Sequence, residues 1–107
     1  MFARSVSIRL KSNSVSELNR VLENEILPLL RKQKGFQDEL TLIASSGLEA
    51  VGISVWDNKE NADAYNRASY PEVQRLLSKV IEGTPEVRTY EVSVSTFPKA
   101  AALGVKA

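Results

Sequence analysis

FQDELTLIASSGLEAVGISVW, residues 36–56, is the stretch whose reading decides the fold. Phe36, Leu40, Leu42 and Ala44 recur in phase, and Ala50 to Val55 is an apolar run ending at Trp56. Both runs read as strands, and the short Ser45-Ser46-Gly47 turn between them brings the second back antiparallel to the first. After Trp56 the chain turns polar at once. Asp57-Asn58-Lys59-Glu60 is a helix start, with Asp57 or Asn58 as the cap. Trp56, the only tryptophan, therefore sits at a strand-to-helix corner.

Each side of this hairpin continues in the same way. Upstream, Ala3 to Lys11 alternates, with Arg4, Val6, Ile8 and Leu10 on one face and Ser5, Ser7 and Arg9 on the other. Ser14 and Glu17 form an S-x-x-E capping box ahead of a helical stripe of Val15, Leu18, Val21, Leu22, Ile26, Leu29 and Leu30. Pro28 removes an intrahelical donor and predicts a kink near Asn24 to Ile26. Gly35, just past Arg31-Lys32-Gln33-Lys34, ends the helix. Downstream, Ala62, Tyr65 and Ala68 or Ser69 share a face, and Pro71 opens a second segment. Val73, Leu76, Leu77, Val80 and Ile81 carry its stripe to Gly83. Glu86 to Phe97 alternates as a last strand, with Tyr90, Val92 and Val94 expected in the core. The order β-α-β-β-α-β predicts a ferredoxin-like α+β domain over residues 1–97, a four-stranded antiparallel sheet with both helices on one face. A small, aliphatic C-terminal tail fills 98–107, and a partner subunit is one surface on which it could pack.

Composition narrows the chemistry. In 107 residues, 14 basic and 13 acidic side chains leave a net charge of +1, with no basic field for nucleic acid. No signal-peptide core and no membrane span is read, so a cytoplasmic protein is the expectation. Cysteine and histidine are both absent, which removes thiol nucleophiles, imidazole bases and the usual zinc or iron ligands. No metal and no cofactor are expected. The carboxylates, among them Glu23, Glu25, Asp38, Glu39, Glu49, Glu60 and Asp63, show no inward convergence.

Helices on one side leave the other side of the sheet open. From the alternation, that open face is expected to carry Ser5, Ser7 and Arg9; Gln37, Glu39 and Thr41; Ala50, Gly52 and Ser54; and Glu91, Ser93 and Ser95. A solvated face and a face stacked on a second copy are both compatible with it. Ile43 tips the reading slightly toward contact.

The strand ending in Trp56, the helix DNKENADAYNRASY and the earlier LLRKQKGFQDEL resemble the antibiotic biosynthesis monooxygenase (ABM) group of dimeric α+β barrels over residues 3–96. The resemblance implies a homodimer joined through the sheet face and a pocket between sheet and helices in each subunit. Some members oxidise polyaromatic or quinol compounds with oxygen and neither metal nor flavin, and others degrade haem. Trp56 matches the group's tryptophan at the end of the third strand, Phe36 the aromatic after the glycine, and Tyr65 the aromatic of the following helix. The haem-degrading branch carries a helix histidine where this chain has Leu76-Leu77, so that activity is rejected.

Trp56, Tyr65, Phe36, Asn61 and Arg75 are the expected ligand-contacting residues, with Tyr70, Asn66 and Arg9 as further polar or aromatic candidates. No catalytic residue is assigned. The function expected is cofactor-independent oxygenation of a small aromatic, quinol or polyketide-like compound, with an apolar cavity of a few hundred Å³ beside Trp56. The alternative is a non-catalytic homodimer of the same fold that binds a small molecule or has a structural role.

Overall fold

A computed structural model describes residues 1–97. β1 (Phe2–Leu10) leads into α1 (Val15–Val21), a π-helical turn (Leu22–Ile26) and α2 (Leu27–Arg31). The hairpin of β2 (Phe36–Ile43) and β3 (Glu49–Trp56) follows, then α3 (Lys59–Ala68), α4 (Tyr70–Leu77) and β4 (Ile81–Glu91). The sheet order is β2-β3-β1-β4 with every pair antiparallel. This is the expected ferredoxin-like α+β arrangement, with the helices on one face. The tail expected over 98–107 lies outside the described residues.

Local signals account for most boundaries. The wide turn at Leu22–Ile26 falls where Pro28, which has no N–H, weakens the ladder. Asn58 Oδ1 accepts from the Asn61 N–H at 2.9 Å and caps α3. Gly35 adopts φ +82°, and a Cβ there would lie 2.3 Å from Asp57 Oδ1 and 2.5 Å from Asn61 Nδ2. Its carbonyl accepts from the Asp57 N–H at 2.9 Å, tying the start of β2 to the end of β3. Only glycine fits that crossing.

Three expectations fail locally. Ser14 makes no side-chain cap, and Glu17 pairs with Arg20 instead, so the capping box does not form. The last helix stops at Leu77, and Ile81 belongs to β4, opposite Leu10. β4 accordingly runs through Gly83 and ends at Glu91 rather than spanning Glu86 to Phe97. The Gly83 region is absorbed as an irregularity opposite Ser7 to Arg9, which lets pairing continue where a loop is expected.

The larger correction concerns the faces of the sheet. Register places Arg4, Ser54 and Glu39 in one cross-strand row, and Val6, Gly52 and Thr41 in the next. These rows lie beneath the helices, because the same residues border a cavity with Leu18, Ile26 and Leu30. The expected open-face residues Ala50, Gly52, Ser54, Glu39 and Thr41 therefore point inward. A shift in pairing between Phe36 and Asp38 keeps Phe36 opposite Trp56 while sending Leu40 and Leu42 outward, about half exposed. Tyr90, expected in the core, is 51% exposed. A one-residue displacement moves every later side chain of a strand to the opposite face.

The core lies between these inward rows and the helices. Leu18, Val21, Ile26 and Leu30 come from one helical arm, and Ala62, Tyr65, Tyr70, Val73, Leu76 and Leu77 from the other. Each large apolar side chain buried there stabilises the fold by about 1.5–3 kcal/mol.

Candidate functional site

Packing of this core is incomplete at its centre. Ala50, Gly52 and Ser54 give β3, an inner strand, a run of small inward side chains. The helices span the space above them without filling it. The result is a cavity of about 70 Å³ between sheet and helices. That is several times the roughly 10–15 Å³ a water molecule needs and well below the roughly 300–1,000 Å³ of pockets for drug-sized ligands. It is smaller than the expected few hundred Å³, and it suits a small occupant.

The walls are apolar: Val6, Ile8, Leu18, Leu22, Ile26 and Leu30, with Val73 and Leu77. Against this lining stand a cation and a carboxylate. Arg4 on β1 is 2% exposed. Its Nη2 donates to Asn66 Oδ1 of α3 at 3.0 Å, while its buried Nη1 has no hydrogen-bond partner among the described residues. The guanidinium carbon lies 4.6 Å from the centre of the Tyr70 ring and 5.1 Å from that of Tyr65. Burial lowers the pKa of Arg4, and the two tyrosines and Asp63 oppose that shift. Among the described residues no carboxylate forms an ion pair with it, and Asp63 pairs with Lys59. Aromatic faces and one amide oxygen thus hold a desolvated cation whose Nη1 donors are unspent.

Glu39 lies at the other end of Arg4's cross-strand row. Its carboxylate accepts from Thr41 Oγ1, at 2.8 Å to Oε2 and 3.0 Å to Oε1. Burial raises its pKa, and the Thr41 hydrogen bond opposes the rise. A carboxyl pKa raised in the folded state means that ionisation costs stability as pH climbs above the unfolded value of 4.5. Glu39→Gln is therefore expected to melt at or above the temperature of the native chain at pH 7. Calorimetry should show the difference shrinking as pH falls to 4.5 and below, and a difference that grows instead would refute the burial cost.

Tyr65 and Tyr70 complete the site. Burial pushes the Tyr65 hydroxyl up to about 12, against the pull of Arg4. Burial likewise raises Tyr70, whose hydroxyl is buried and unpartnered among the described residues. Both phenols stay protonated at neutral pH and offer donors, not bases.

The residues singled out from the sequence separate here. Tyr65 and Tyr70 border the cavity. Trp56, fully buried, does not border it: the indole stacks on Tyr65 at 4.8 Å and donates from Nε1 to Ser54 Oγ at 2.9 Å. Phe36 packs edge-on against the outer side of Trp56 at 5.6 Å. Asn61 is spent on Asp57 Oδ1 at 2.8 Å, at the Gly35 crossing. Arg75 is exposed, paired with Glu72, and absent from the cavity. Asn66 takes part through Arg4. Arg4 and Glu39 were missed as site residues. The signal for Arg4 was legible, since it alternates in phase with Val6, Ile8 and Leu10 and so had to be buried. Glu39 carried no such signal, because its facing depends on the pairing shift after Phe36.

No protein-family model matches this sequence, and no curated protein matches it. Solved structures do. A Streptomyces coelicolor monooxygenase determined with nanaomycin D superposes with a TM-score of 0.75 at 16% identity, covering 91% of each chain. A Nitrosomonas europaea protein of unknown function gives 0.73 at 14% identity, over 91% of this chain and 93% of that one. An antibiotic biosynthesis monooxygenase gives 0.67 at 12% identity, over 85% of this chain and 97% of its own. The chain has the fold of the ABM-like superfamily, as the residues around Trp56 suggested.

Proposed function

We propose that the cavity binds a small phenol or quinol and that the protein oxygenates it, as the anion, without a cofactor. The observation that carries this reading is Arg4, a buried cation with free donors bordering a mostly apolar cavity. Such a group stabilises negative charge on a ring oxygen far better than water-exposed arginine does. The charged ring is the form that yields electrons to oxygen. The balance for a simple phenol is one phenol and one O₂ giving one quinone and one water. One oxygen atom replaces a ring hydrogen, the other leaves as water, and the substrate supplies all four electrons. About 70 Å³ is roughly half the ~150 Å³ that holds a benzene ring, so a single ring enters only as the walls give, and a polyketide-like polycycle is disfavoured further. The similar monooxygenase determined with nanaomycin D supports the reaction class.

Oxygen uptake by the native chain over a panel of single-ring phenols and quinols tests the proposal. Saturable uptake with quinone formation is expected. Ligand binding with no uptake on any of the panel would leave the non-catalytic binding reading in its place.

The outward face favours a homodimer. Leu40 and Leu42 of β2 pair with Ile53 and Val51 of β3, and half-exposed Tyr90 lies on the far edge. The apolar part of this face lies on β2 and β3, the rows passing to Ser5 and Arg88 and to Ser7 and Glu86. Exposed apolar residues grouped in this way favour cover. Light scattering is expected to give twice the 11.8 kDa chain mass, and Leu40→Asp with Leu42→Asp to halve it. A native mass of one chain would end the dimer proposal.

A further inference from the structure

Arg4 and Glu39 stand at opposite ends of one row with Ser54 between them, and both border the same cavity. Neighbouring strands are about 4.8 Å apart, so the two backbones lie roughly 10 Å from each other across β3. The Arg4 end holds donors without acceptors: Nη1, and the Tyr70 hydroxyl hydrogen. The Glu39 end holds an acceptor in excess. An ionised carboxylate has about four lone-pair sites, and among the described residues the Thr41 hydroxyl alone donates to this one. Glu39 also forms no ion pair among the described residues. Its Oε2 leans over Gly52, 3.7 Å from where a Cβ would be, and so over the cavity floor. The intervening Ser54 Oγ already accepts from the Trp56 indole.

A hydrophobic space with unspent donors at one end and an unspent carboxylate at the other calls for a ligand with an acceptor at one end and a donor at the other. Resting on the reading that a small aromatic occupies the cavity, we propose that the site selects a para-type hydroxyaromatic carbonyl. Its carbonyl oxygen accepts from Arg4 Nη1 and the Tyr70 hydroxyl, and its phenol O–H donates to the Glu39 carboxylate. Glu39 is then the group placed to take the phenol proton, and the para arrangement passes the resulting negative charge through the ring to the carbonyl oxygen, where Arg4 stabilises it.

Three probes separate the contacts: 4-hydroxyacetophenone, its methyl ether 4-methoxyacetophenone, and 4-ethylphenol, which lacks the carbonyl. Trp56, the sole tryptophan, stacks on a wall of the cavity and reports binding by fluorescence, with calorimetry as the second readout. The native chain is expected to bind the hydroxyketone at least about tenfold tighter than either other probe, the scale of one charge-assisted hydrogen bond. Glu39→Leu should erase the preference over the ether, with a cooperative thermal melt showing that the variant is folded. Tyr70→Phe should erode only the preference over 4-ethylphenol. Equal binding of hydroxyketone and ether by the native chain overturns the proposal, and so does a preference that survives in Glu39→Leu. Failure of all three probes to bind overturns both the selectivity and the cavity reading. Selective binding without oxygen uptake removes only the oxygenase.

Discussion

Arg4→Met is expected to fold with a melting temperature equal to or above that of the native chain, while kcat/KM for a phenol oxygenated by the protein falls about a hundredfold. The two effects separate because Arg4 is costly where it sits. The guanidinium is almost wholly buried, keeps one hydrogen bond, and has no carboxylate to offset the loss of water. Contacts with the Tyr65 and Tyr70 rings recover about 2 kcal/mol or more, part of what the loss of water costs. Methionine has a similar reach, packs its sulfur against the same rings, and needs no hydrogen bond. Replacing a buried charge with an apolar side chain of similar size is often neutral or stabilising. What methionine cannot do is stabilise a developing phenolate. Calorimetry and steady-state oxygen uptake measure the two halves. A melting temperature several degrees lower would make Arg4 a structural residue, and unchanged kcat/KM would remove it from the proposed chemistry.

Trp56→Ala is expected to cost about 3–5 kcal/mol, read as a lower urea midpoint with an unchanged slope. The indole is completely buried, stacks on Tyr65, meets Phe36 edge-on and donates to Ser54 Oγ. Alanine would leave a hole at the corner where β3 turns into α3, bounded by the fixed Gly35 crossing. A domain of this size has about 5–15 kcal/mol in all, so the variant would stand near the edge of folding. Trp56→Phe keeps a ring against Tyr65 and loses the Ser54 bond, so its cost should be clearly smaller. Because Trp56 does not border the cavity, oxygen uptake by Trp56→Phe should stay close to native. A large drop in its kcat with stability retained would put the ring in the chemistry after all.

Trp56 therefore supports Tyr65 from behind, and the site begins one ring farther in. The resemblance that Trp56, Phe36 and Tyr65 carried led to the right fold, and of those three only Tyr65 reaches the cavity. Arg75 and Asn61 show why the rest was hard to read. An arginine three residues after Glu72 on an exposed helical turn has a partner at hand, and an asparagine in the first turn of α3 has Asp57. Sequence alone offered no reason to rank them below Arg4 except phase, and phase is the one signal that selects Arg4.

By itself the sequence determined the element order, the antiparallel hairpin, a cap at Asp57 or Asn58 and the disturbance ahead of Pro28. Each follows from periodicity or turn chemistry within a few residues. It also placed Arg4 among buried positions, because alternation in an unbroken strand is a local property. Only the tertiary structure decided which faces of β2, β3 and β4 turn inward. Apolar side chains were expected beneath the helices, yet Leu40, Leu42, Val51 and Ile53 face outward, and the small and polar Ala50, Gly52, Ser54, Glu39 and Thr41 face in. The physical reason is that facing is set by register and by one shift in pairing between Phe36 and Asp38, both of them agreements between strands far apart in the chain. Hydrophobicity shows that a face is suited to being covered, and does not show whether a helix or a second subunit covers it.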